Sequence, residues 1–74
     1  MVIAGHCLVD KMIPLNLDEG LVEATVRKGS ILSAKCEKPA RLAFRLRESG
    51  QAAVVVIAQF RRTHIKVVTV YREE

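Results

Sequence analysis

A chain of 74 residues holds a single domain, and a domain this small buries only about 60 % of its unfolded surface, so its core is slight. Half of the residues are apolar, which excludes a disordered chain; with no Trp and only Phe44, Phe60 and Tyr71 as aromatics, the core must come from Val, Ile, Leu and Ala. The net charge of +4 is uneven: residues 1–34 carry three bases and four acids and residues 35–72 carry nine bases and two acids, a bias that suits an anionic partner.

The opening MVIAGHCLVDKM has no basic segment ahead of its apolar residues, unlike a secretory leader. The longest apolar run, AAVVVIA at 52–58, falls far short of the roughly 20 residues that span a bilayer. The expectation is a cytoplasmic protein with no membrane partner. Cys7 and Cys36 form neither a CxxC pair nor a disulfide framework and read as reduced, partly buried thiols.

In chain order, residues 2–4 suit a short edge strand. HCLVDKMI (6–13) places Leu8, Val9, Met12 and Ile13 on one face of a short helix, which Pro14 ends. NLDEGLVEATVRKG (16–29) predicts a second helix. Asn16 serves as N-cap with Glu19 three residues on, and Leu17, Leu21, Val22, Thr25 and Val26 form the apolar stripe. Gly29 suits the left-handed residue that closes a helix, and close packing would account for Gly20.

From there the period changes to two. ILSAKC (31–36) predicts a short strand and EKP (37–39) a turn. RLAFRLRE (41–48) predicts a strand whose alternation sends Leu42, Phe44 and Leu46 to a core and aligns Arg41, Arg45 and Arg47 on the opposite face. ESGQ (48–51) is a hairpin signal, with Gly50 available for positive φ. AAVVVIAQF (52–60), apolar on both faces, predicts a central strand; RRTH (61–64) is a turn and IKVVTVYR (65–72) the last strand. In that strand Tyr71 could stack on a base, but its alternation with Thr69, Val67 and Ile65 favours the core or its rim. The fold class is α+β: two N-terminal helices packed on one face of a three- or four-stranded antiparallel β-meander, over residues 1–74 as one domain, with the other sheet face wholly or partly open to solvent.

A His opening a short helix, the stretch DEGLVEATVRKGSIL, an arginine-bearing strand, an apolar hairpin and a terminal VVTVYRE follow one another over His6–Arg72. In these features the chain resembles the small bacterial domain family of unknown function DUF 4258, although Asp10-Lys11-Met12 stands where that family often has an Arg–Met pair. The family is similar in architecture to RelE-like ribonuclease toxins. That resemblance implies an RNA-directed protein, either a toxin-type ribonuclease or an inactive RNA-binding relative, with an antitoxin as protein partner. The alternative is a non-catalytic interaction module, mobile-element borne, that binds a protein or forms a homodimer.

Metal-independent RNA cleavage needs a general base, a general acid and cations on the phosphate. His titrates near neutrality and Arg offers a planar fork to phosphate. His6 and His64 are the candidate catalytic residues, and Arg41, Arg45, Arg47, Arg61, Arg62 and Lys66 the candidate nucleic-acid contacts. His6, Cys7, Cys36 and His64 are poorly spaced for zinc, so no metal and no cofactor is expected.

Overall fold

The computed structural model describes residues 1–32, 40–47 and 50–73. Its elements are β1 (Val2–Ile3), α1 (Gly5–Cys7, continuing as a π-helical turn over Leu8–Met12), α2 (Glu19–Lys28), β2 (Ser30–Ile31), β3 (Arg41–Leu46), β4 (Ala53–Phe60) and β5 (Ile65–Glu73). The strands form one sheet in the order β1-β5-β4-β3-β2. The fold is α+β, but the sheet is a five-stranded mixed one, which corrects the expected antiparallel meander of three or four strands. The edge strand expected at 2–4 is present as β1, but it lies parallel to β5, with Val2 opposite Lys66 and Ile3 opposite Val67, which makes the sheet mixed. A parallel pair needs a long connection, and here both helices and three strands intervene. Of the strand expected at 31–36, Ile31 belongs to β2 and Leu32 donates its backbone N–H to the Ala43 carbonyl at 2.9 Å. The rest of it and the turn at 37–39 lie outside the described residues.

The first helix buries a different side from the one its spacing predicts. Ile13 and Leu17 donate to carbonyls five residues back, on Leu8 and Met12, at 3.0 and 2.9 Å. Such i→i+5 bonds widen the turn and bring residues five apart to one side. Cys7 and Met12 are therefore buried together, whereas Leu8, Val9 and Ile13 are exposed.

The second helix starts later than expected. Its cap is Asp18, whose Oδ1 accepts from the Leu21 N–H at 2.7 Å; Asn16 instead takes a left-handed φ of 55° in the preceding turn. The predicted stripe holds: Leu17, Val22 and Thr25 are buried and Leu21 and Val26 half-buried. Gly29 is extended (φ −71°, ψ 164°), not left-handed. Its role is close approach, because a Cβ there would overlap the Thr25 carbonyl oxygen and lie 2.7 Å from that of Arg45. Gly20 is exposed, and a Cβ there would meet nothing nearer than Asp18 Oδ1 at 3.4 Å, so close packing does not account for it.

α1 lies against β5, and α2 against β3 and β4. The core on that side joins Ala4, Cys7, Met12, Leu17 and Val22 to Val54, Val56, Val67 and Val70. Phe44 and Phe60 meet on the same side, ring centroids 5.9 Å apart. The β4–β5 register shifts between Ile57 and Ala58, which pair with Thr69 and Val67 and leave Val68 as an extra residue. This bulge flips the alternation of β5. Val67 faces the helices, whereas Thr69, Tyr71 and Glu73 turn to the outer face; the expected continuous alternation of Tyr71 with Thr69 and Val67 is corrected accordingly.

Candidate nucleic-acid interface

Register sets the outer face in rows across the sheet. Arg41, Gln59 and Lys66 form one row, Ala43, Ile57 and Thr69 the next, then Arg45, Val55 and Tyr71, and last Ala53 with Glu73. The expected alternation of β3 holds: Arg41 and Arg45 share this face, while Leu42, Phe44 and Leu46 point to the helices. The face is not simply solvated, however. Ala43 and Val55 are 0 % and Ala53 1 % exposed, so its centre is apolar and closed.

The two arginines of β3 are both engaged. Arg41 Nε donates to Gln59 Oε1 at 3.1 Å, directly across the ladder. Arg45 Nε lies 2.8 Å from Glu73 Oε1, so the pair reaches from β3 to β5 across the central strand β4. The Arg45 Nε is buried, and its N–H is not aimed at an acceptor, so this contact is an ion pair without a hydrogen bond. Both side chains are more than a third exposed, and a pair so placed contributes about 0–1 kcal/mol. Sequence reasoning passes over Glu73 and Gln59; the only signal for them is strand register, which a single sequence does not carry.

The β4–β5 turn concentrates the unengaged charge. Arg61 and Arg62 are exposed, His64 and Lys66 half-buried, and the Arg61 N–H closes the turn on the His64 carbonyl at 2.9 Å. The His64 Nδ1 and Thr63 hydroxyl lie 3.1 Å apart. Among the described residues, no side-chain hydrogen bond or ion pair holds Arg61, Arg62 or Lys66. Lys66 is level with Arg41 across Gln59, so four bases and His64 belong to one end of the sheet.

The other candidates lie elsewhere. His6 is exposed on α1, in the layer on the far side of the sheet from Arg41 and Arg45. Arg47 is exposed beyond the opposite end of β3. Arg72, on the helix side, donates Nη1 to the Ala52 carbonyl at 3.1 Å and lines a cleft of about 180 Å³ with Leu21, Leu46 and Val54. Of the six candidate bases, Arg41, Arg61, Arg62 and Lys66 therefore belong with His64 to the β4–β5 end, and Arg45 and Arg47 do not.

Cys7 is fully buried, and burial pushes its thiol above the ordinary range; a Val70 backbone hydrogen bond and the Lys11 charge oppose this. Cys36 lies outside the described residues. Among the described residues, no three His, Cys, Asp or Glu side chains gather as metal ligands, and no helix is long and apolar enough to cross a membrane.

No protein-family model, curated protein or solved structure significantly matches this chain.

Proposed function

We propose that the protein binds the backbone of RNA through the basic end of its sheet, in the cytoplasm, as a DUF 4258-type domain of RelE-like architecture. The observation that carries this reading is the set Arg61, Arg62 and Lys66, three cations without a side-chain partner among the described residues, with Lys66 level with Arg41 and the two arginines in the same turn as His64. Phosphate contacts of this kind provide affinity without reading sequence. Phe60, the aromatic nearest that end, packs on Phe44, so affinity rests on charge more than on stacking. Any general acid–base step falls to His64, which shares the basic end, and not to His6, which belongs to the helix layer. The test is binding of a labelled, unstructured oligoribonucleotide by fluorescence anisotropy. Binding by the wild type that is lost in Arg61→Ala/Arg62→Ala supports the reading; equal binding by both chains rejects it.

A second reading, a protein-interaction module with a partner such as an antitoxin or a second copy, draws on a different observation. Val9 and Ile13 are 60 % and 67 % exposed, with Leu8 and Leu15 also uncovered, on the outer side of α1 and the turn after it. Contiguous exposed apolar side chains are the kind of surface that partners cover. Sedimentation analysis of the purified chain tests self-association directly.

A further inference from the structure

We infer that Arg45 is a second phosphate subsite on the outer face, closed in this structure by the chain's own Glu73 carboxylate. The inference rests on the RNA-backbone reading and adds a regulatory contact to it. Glu73 Oε1 sits 2.8 Å from Arg45 Nε, where an incoming anionic oxygen would bind. The contact is incomplete, because the buried Nε–H has no acceptor in line with it. A buried donor left unsatisfied is costly, and once Glu73 turns aside a phosphate oxygen in line with the N–H can accept from it. The pair is open enough to exchange, with side chains 36 % and 39 % exposed. Glu73 is the last residue of β5, so its side chain can turn aside without disturbing the core ladder. Arg45 stands four residues from Arg41 on the same face of one strand, roughly 13 Å away, so one oligonucleotide lying on the sheet reaches both. Displacement of Glu73 would extend the phosphate track from the β4–β5 end toward the middle of the face.

The experiment is a double-mutant cycle read by RNA anisotropy over a range of salt, with an unstructured oligouridylate as probe. The chains are the wild type, Glu73→Gln, Arg45→Gln and the double variant, with Arg61→Ala/Arg62→Ala alongside and thermal melts to confirm folding. Arg45→Gln removes the charge and retains part of the aliphatic stem opposite Val55. Glu73→Gln is expected to bind about three- to fivefold tighter than wild type, the competition of one exposed ion pair being removed. Its log–log salt slope should steepen by about 0.7, the mark of one added phosphate contact on a single strand. In the Arg45→Gln background the same change should bring no gain. An equal gain in both backgrounds is a general charge effect and overturns the inference, as does no gain in either. If Arg61→Ala/Arg62→Ala loses binding while Glu73→Gln changes nothing, only the Arg45 subsite falls. If neither wild type nor Glu73→Gln binds RNA, the backbone reading falls with it.

Discussion

Gly29 and Arg45 touch backbone to backbone: a Cβ on Gly29 would lie 2.7 Å from the Arg45 carbonyl oxygen. This approach carries the chain from α2 into β2 and places Ser30 opposite Arg45. Gly29→Ala must move backbone at both ends of the contact and should cost about 2 kcal/mol, the scale of overpacking in a closed site. Gly20→Ala has room and should stabilise α2 by roughly 0.5 kcal/mol. Urea unfolding of the two variants checks both, and a Gly29→Ala chain as stable as wild type contradicts the packing.

The start of α2 offers a second check. Asp18→Ala removes the acceptor of the Leu21 N–H and should cost about 1 kcal/mol. Asn16→Gly should be neutral or slightly stabilising, whereas Asn16→Ala places a Cβ at φ 55° and should cost about 1 kcal/mol. If Asn16 were the cap, Asn16→Gly would differ from wild type by only a few tenths, Asn16→Ala would cost as an Ncap loss, and Asp18→Ala would be harmless; the Asp18 variant decides.

Burial of Cys7 makes stability depend on alkaline pH. The folded thiol holds its proton to higher pH than the unfolded one, because burial disfavours the thiolate. Above the ordinary thiol pKa of about 8.5 the unfolded chain binds fewer protons than the folded chain, so stability is full below that pH and declines as pH rises through the folded value. In a Cys36→Ser background, denaturant midpoints should fall between neutral and alkaline pH, and Cys7→Ala should flatten that decline while lowering stability at neutral pH. A decline of equal size in both chains would contradict the buried thiol.

The outer side of α1 predicts tolerance. Val9→Lys and Ile13→Lys should change folding stability by less than about 0.5 kcal/mol, since both side chains are mostly in solvent. Cys7→Lys or Met12→Lys should unfold the chain, because both are at most 1 % exposed. Circular dichroism melts separate the two pairs. Val9→Lys and Ile13→Lys would also abolish any self-association through this surface.

Much of the β-sheet was legible in the sequence because it is local. Alternation in 41–47 alone separates Leu42, Phe44 and Leu46 from Arg41 and Arg45, and the two-sided apolar run at 52–60 marks the central strand. The misreadings involve choices that alternation and spacing do not encode. Val68 adds one residue to β5, and nothing in IKVVTVYR distinguishes a bulged valine from a paired one. Cys7 and Met12 are five apart, a spacing that reads as opposite faces until the turn is known to be π-helical. Asn16 and Asp18 are both good caps, and only the position of the first helical residue decides between them. The candidate site was legible as a basic half of the chain, but not as a basic end of the sheet. Register brings Lys66 level with Arg41 through Gln59, and places Glu73 within reach of Arg45 from 28 positions away.

Phosphate contact at the basic end is read from the salt dependence of RNA binding by the wild type, Lys66→Ala and Arg61→Ala/Arg62→Ala. Each phosphate contact on a single strand contributes about 0.7 to the slope of log K against log salt. The slope should lessen by about 0.7 in Lys66→Ala and by about 1.4 in the double variant. Slopes that stay at the wild-type value in both variants would place the phosphates elsewhere and rule out RNA binding by the β4–β5 end.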